Sequence, residues 1–145
     1  MPVSAWRLTE EVAAVHAARG NPSALIGEFR RTAVLVPLDE AGGLWTVVQD
    51  GIRWVCAFTD EAALGRFAAA RGEADARREW EYRSVWGARL LDVVVPALGV
   101  PAGVALDVGS PHPMLFPPVT GVVPEAVALD DPDNVYAHVD EEGAR

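Results

Sequence analysis

The sequence predicts a single α+β domain with a mixed sheet and flanking helices. Two β-prone runs flank Asp50-Gly51 and predict an antiparallel hairpin within residues 33–58. Helical segments with recognisable start and stop residues lie on both sides of it. Half of the 145 residues are hydrophobic and 23% are charged, a mix typical of folded proteins. We divide the chain into an N-terminal helix (1–20), the α+β domain (21–124) and an acidic tail (125–145).

The N-terminal region predicts two helices. Residues 8–19 are rich in Ala, with acidic residues early and Arg late, and the helix is expected to stop at Gly20. Asn21 then predicts an N-cap and Pro22 the first residue of a short second helix, with Phe29 on its buried face.

The hairpin is the most readable part of the chain. Residues 33–38 predict a buried strand with Pro37 at its end or at a sheet edge, and residues 39–43 form a turn. A two-residue loop at Asp50-Gly51 places alternate side chains on opposite faces. One face carries Trp45, Val47, Gln49, Ile52, Trp54 and Cys56, and the other carries Leu44, Thr46, Val48, Arg53, Val55 and Ala57. Both faces are expected to be partly covered.

Helix and strand alternate after the hairpin. Thr59 is expected to cap a helix that buries Leu64, Phe67 and Ala68. Residues 73–79 form a charged connector, and residues 80–85 alternate like a half-exposed strand. Residues 87–95 predict a helix ended by Pro96, with a strand as the competing interpretation because of the β-branched run 93–95.

The last segment predicts a short buried strand over residues 103–107. Four prolines follow and predict an ordered, irregular loop without ladder pairing: Pro111, Pro113, Pro117 and Pro118. Residues 119–129 add a strand or a helical turn.

Asp107, Ser110 and His112 are the one local set of acid, hydroxyl and imidazole. In an extended segment Ser110 and His112 point the same way about 6 to 7 Å apart, too far for a nucleophile and its base. A Ser/His hydrolase is therefore a remote alternative, and we predict no catalytic residues. The backbone from Asp107 to Ser110 could instead hold an anion or a small molecule.

Metal and nucleotide sites have little support. His16, His112 and His138 are scattered in the sequence, and the lone Cys56 predicts a small buried side chain. Asp131-Pro-Asp133 resembles the start of a calcium loop, but the later ligand positions are wrong, so we interpret it as a turn. The glycines fit no phosphate loop. We expect no metal and no cofactor.

The negative net charge of the chain makes some classes of partner less suitable than others. Residues 125–145 contain seven acids and one Arg, so they carry most of the net charge of −9, and we expect a solvated tail. An acidic chain without a basic stripe is a poor nucleic-acid binder. No apolar run suits a membrane span and no signal-peptide pattern opens the chain, so we expect a cytoplasmic protein.

The order of motifs from Asn21 to Phe116 resembles the N-terminal domain of the SseB family, named for enhanced serine sensitivity. The resemblance rests on 33–39, the glycine-rich turn, 44–47, Asp50-Gly51, 58–60 and 103–110. The family pattern carries Asn-Pro-Gly at the last strand exit, where this chain has Asp107-Val108-Gly109. The resemblance implies an α+β domain without known catalytic residues, linked by name to secretion systems.

We therefore expect a non-enzymatic domain that binds another protein. The candidate surfaces are the hairpin aromatics Trp45 and Trp54 and the loop 109–118. In that loop, Met114, Leu115 and Phe116 would form a rigid, exposed apolar contact. The second hypothesis is an anion or small-molecule site at Asp107, Gly109 and Ser110. The sequence leaves the oligomeric state open.

Overall fold

The computed structural model describes residues 5–70 and 81–136. Over these residues the chain forms one α+β domain, as predicted, with helices packed on a mixed sheet. Within the described part, no helix is long and apolar enough to cross a membrane.

The first two helices are α1 (Trp6–His16) and α2 (Pro22–Arg30). Asn21 is the predicted N-cap, since its side-chain oxygen accepts the backbone N–H groups of Ser23 and Ala24 at 2.8 and 3.3 Å. The predicted stop at Gly20 is wrong, because α1 ends earlier and Ala18 takes the left-handed conformation with φ 60°. Gly20 instead packs so closely on Val15 that a Cβ would lie 2.6 Å from its backbone nitrogen.

The hairpin forms in the predicted register. Strand β1 (Ala33–Pro37) precedes β2 (Thr46–Gln49) and β3 (Ile52–Ala57), and Gln49 pairs with Ile52. Asp50 and Gly51 have φ values of 54° and 79°, the positive values that a tight two-residue hairpin turn requires. Pro37 ends β1, as expected of a residue without an N–H donor.

Two sheets meet at the end of the hairpin. The larger has the strand order β2-β3-β5-β6, in which β5 (Ala102–Leu106) runs parallel to β3 and β6 (Met114–Phe116) antiparallel to β5. The smaller pairs β1 with β4 (Tyr82–Trp86) in antiparallel register. Leu35 and Phe58 exchange two backbone hydrogen bonds of 2.8 Å, which join β1 to the end of β3.

Helix α3 (Glu61–Ala70) buries the predicted Leu64, Phe67 and Ala68. The predicted cap is wrong, because Asp60 fills that position and its Oδ1 accepts the Ala63 N–H at 2.8 Å. Thr59 is bonded elsewhere, as described below. The predicted connector 73–79 and Trp80 lie outside the described residues.

Helix α4 spans residues 87–97 and does not stop at Pro96. It consists of α-helical Gly87–Arg89, π-helical Leu90–Val94 and α-helical Val95–Ala97. A proline ring clashes with the carbonyl four residues earlier in a regular α-helix, and the wider π-turn directly before Pro96 relieves that contact. The competing strand interpretation is wrong.

The proline-rich segment is not wholly irregular. Residues 114–116 form β6, whose pairs with β5 are Val104 to Phe116, Ala105 to Leu115 and Leu106 to Met114. Pro113 and Pro117 flank this three-residue strand instead of interrupting it, so the prediction of no ladder pairing is wrong.

Residues 125–136 are packed on the domain, contrary to the solvated tail expected there. A 3-10 helix covers Glu125–Val127, the helical turn predicted for 119–129, and Val127 and Ala128 are buried. Asp130 accepts the Thr120 N–H and hydroxyl at 2.7 and 2.9 Å. Residues 137–145 lie outside the described part.

The two faces of the larger sheet are covered unequally. The main core packs α1, α2, α4 and residues 119–128 on one face, with Phe29 stacked on Phe116 at 4.3 Å between ring centroids. On the other face, a smaller cluster packs Leu64 and Phe67 of α3 on Cys56 and Phe58. Cys56 is buried, as predicted.

Candidate functional site

Asp107 ties the exit of β5 to the end of β3. It takes the left-handed conformation with φ 53°, which Asp and Asn tolerate better than most residues. Its Oδ1 accepts the Thr59 N–H and its Oδ2 accepts the Thr59 hydroxyl, both at 2.8 Å. Both carboxylate oxygens therefore serve a contact between segments 48 residues apart in the sequence.

Burial has the largest effect on the pKa of Asp107. The residue is only 9% exposed, and loss of water raises the pKa of its carboxyl group. The two hydrogen bonds from Thr59 lower the pKa of Asp107 but do not outweigh burial. The nearby Asp60 raises this pKa and Arg66 lowers it. Burial thus favours the protonated form of Asp107 more than water would.

Gly109 and Ser110 complete a tight turn after Asp107. The Ser110 N–H donates to the Asp107 carbonyl at 3.1 Å, and Gly109 has φ 88°, as the third residue of a type II turn requires. Ser110 Oγ accepts the backbone N–H of His112 at 3.2 Å. The Ser110 N–H and the Ser110 hydroxyl oxygen are thus both used within the turn.

The His112 ring lies next to another histidine. Its centroid is 5.1 Å from that of His16 in an edge-to-face arrangement, and His16 Nε2 is 2.7 Å from the Pro113 carbonyl oxygen. The scattered placement predicted from sequence is wrong for this pair, since α1 packs beside the proline-rich segment. Among the residues described, no cluster of three His, Cys, Asp or Glu could hold a metal.

Asp131 and Asp133 form a turn, as predicted. Asp131 Oδ1 accepts the Asp133 N–H at 2.8 Å, and the Asp131 carbonyl accepts the side-chain amide of Asn134 at 2.8 Å. These acceptors are used to hold residues 131–136 together.

An apolar groove of ≈ 600 Å³ crosses the less covered face of the larger sheet. We call it the sheet groove; its lining includes Val47, Ile52, Trp54, Phe67, Val108 and Leu115. Trp54 and Leu115 are both predicted site residues. They share this face of the sheet because β5 pairs with both of their strands, β3 and β6. Leu115 is 55% exposed, whereas Trp54 is half-buried.

The other predicted contact residues are placed differently. Phe116 is 2% exposed in the main core and Met114 packs against that core, so the exposed triplet 114–116 is wrong for two of its three members. Side chains alternate along a strand, so the neighbours of Leu115 must face the opposite side. Trp45 lies at the margin of α3, with its ring 6.4 Å from that of Phe67.

Sequence reasoning missed part of the groove. Strand alternation predicts Val47 and Ile52 on the same face as Trp54, but it does not connect Val108 and Pro113 with that face. Val108 and Pro113 reach the groove through the parallel pairing of β3 with β5. This is a long-range contact that no local motif encodes.

Comparison with known proteins identifies a family. The family model described as the SseB protein N-terminal domain matches residues 8–120, which is most of the chain. No curated protein and no solved structure matches.

Proposed function

Because the chain belongs to the SseB family through this N-terminal domain, we propose that it is a non-enzymatic protein-interaction domain whose contact surface is the sheet groove. The observation that carries the proposal is the groove itself, an apolar surface left open on a sheet whose other face holds the main core. Exposed apolar patches of this kind commonly mark interaction sites.

The shape of the groove favours a peptide segment as its occupant. It reaches from β2, at one edge of the sheet, to β6 at the other, so a chain can enter or leave at both edges. Trp54 offers an aromatic contact, and Trp is among the residues that most often dominate binding energy at protein interfaces. Leu115 adds exposed aliphatic surface beside it.

Charge specifies the partner further. Asp50 is the one charged residue among the described residues that line the groove, and it lies at the hairpin end. The whole chain carries a net charge of −9. We therefore propose a partner segment with apolar side chains and a Lys or Arg positioned for Asp50.

The engagement of Asp107 and Ser110 supports a non-enzymatic role. Their hydrogen bonds hold the strand exit and the following turn together. The same observation makes anion binding at residues 107–110 the weaker candidate. A cytoplasmic location and an association with a secretion apparatus belong to the proposal, and the identity of the captured partner tests both.

Leu115→Glu is expected to weaken partner binding at least about tenfold, because it places a charge in the apolar groove. Val48→Glu is the matched control, since Val48 is 60% exposed on the opposite face of an edge strand. A peptide selected from a random library on the wild-type chain, labelled for fluorescence anisotropy, gives the affinities of all three proteins. Equal loss in both variants would show that charge alone, rather than the groove, governs binding.

Site-specific cross-linking extends this test to the native host. A photoreactive residue at position 115 is expected to capture a defined protein that the same residue at position 48 does not. Identical products from both positions, or none from position 115, would contradict the proposal.

A further inference from the structure

A second cavity lies at the start of α3 and shares no lining residue with the sheet groove. It has a volume of ≈ 730 Å³ and is bounded by the start of α1, by strands β1 and β4, and by the start of α3. We call it the α3 cleft. Its volume lies within the range of pockets that enclose small organic ligands.

The walls of the α3 cleft are apolar and aromatic. Leu35 and Ala33 of β1 contribute aliphatic surface, and Trp6 and Tyr82 contribute aromatic rings that are 53% and 40% exposed. The guanidinium carbon of Arg7 already lies 5.3 Å from the Trp6 ring centroid. That contact shows that a cation can rest on this aromatic side chain.

The charged side chains that line the cleft are both carboxylates. Asp60 and Glu61 line it, and no Lys or Arg does among the residues described. The N-terminus of α3 offsets about half a charge and the Arg7 guanidinium beside Trp6 one more, so the two carboxylates still leave the cleft slightly negative. Tyr82 donates to one oxygen of Glu61 at 2.8 Å, which holds the carboxylate at the cleft and leaves its second oxygen for a ligand.

We propose that the α3 cleft binds a small organic cation, with an ammonium or guanidinium group between Glu61 and the Trp6 ring and an aliphatic body against Leu35. A carboxylate and an aromatic face both favour a cation, and the aliphatic wall favours a carbon chain attached to it. This site is separate from the sheet groove and does not depend on the proposed function.

The probe is agmatine, a butyl chain with an ammonium and a guanidinium group, titrated into the full chain labelled with ¹⁵N and followed by NMR. Agmatine is expected to bind with a Kd below about 1 mM and to shift the indole signal of Trp6 and the amide signals of Ala62 and Ser84. Glutarate, an anion of similar length, is expected to leave these signals unchanged. Binding of both probes with equal affinity would overturn the proposal.

Two variants locate the site. Glu61→Gln and Trp6→Leu are each expected to weaken agmatine binding about fivefold or more. Glu40→Gln, which removes one carboxylate from the exposed 39–43 turn, is the matched control and should bind like the wild type. Leu115→Glu should also bind agmatine normally, which separates this test from that of the sheet groove. Equal weakening in Glu61→Gln and Glu40→Gln, or signal shifts confined to other surfaces, would overturn the inference.

Discussion

Asp107→Ala is expected to lower the free energy of unfolding by about 2 to 4 kcal/mol, measured by urea denaturation at neutral pH. The change removes both acceptors of the Thr59 N–H and hydroxyl, which lie in a largely buried contact. It also leaves Ala at φ 53°, where Asp is better tolerated. The end of β3 and the exit of β5 then lose their side-chain connection.

Asp107→Asn is the matched variant and should cost less than about 1 kcal/mol at neutral pH. An Asn side-chain oxygen can accept the Thr59 N–H, and its amide can donate to the Thr59 hydroxyl after that hydroxyl turns. Equal destabilisation by Ala and Asn would show that the negative charge, rather than the hydrogen-bond geometry, is required.

The pH dependence of the two proteins should differ in a defined direction. Burial raises the pKa of Asp107 above its usual 3.8, so the folded state binds a proton more tightly than the unfolded state. The stability of the wild type relative to Asp107→Asn should be greatest below pH 3.8. It should fall as pH rises through the raised pKa and stay constant above it. An advantage that instead grows with pH would contradict the role given to burial.

Local signals predicted the elements that depend on a few neighbouring residues. Asp50-Gly51 fixed the hairpin register, and Asn21 with Pro22 fixed the start of α2. The errors occur where a distant contact competes with a local one. Thr59 has the chemistry of an N-cap, but Asp107 binds it, and Asp60 caps α3 instead.

The candidate site was predictable only in part for the same reason. Strand alternation placed Val47, Ile52 and Trp54 on one face, and the hairpin alone justified that grouping. Leu115 joins them only through the parallel pairing of β3 with β5, which brings together segments about 50 residues apart. The contact between His16 and His112 similarly depends on how α1 packs, and no local pattern records it.

Gly103→Ala is expected to lower the free energy of unfolding by about 3 kcal/mol, because the site is already filled. A Cβ at this position would lie 2.4 Å from the Phe116 carbonyl oxygen and 2.8 Å from the Trp54 ring. Both β6 and Trp54 must move to make room for the Cβ. Moving the backbone of β6 costs more free energy than moving a flexible side chain.

Gly65→Ala supplies the control for this prediction. Gly65 lies within α3 with nothing within 4 Å of an added Cβ, so the change should stabilise the protein by about 0.5 to 1 kcal/mol. Thermal and urea unfolding of both variants measure the contrast. Because Gly103 lies between Trp54 and the strand that carries Leu115, Gly103→Ala should also weaken peptide binding at the sheet groove, whereas Gly65→Ala should not. A stable Gly103→Ala protein with unchanged peptide affinity would mean that Trp54 and β6 do not meet above Gly103, and the proposed contact surface would lose its central part.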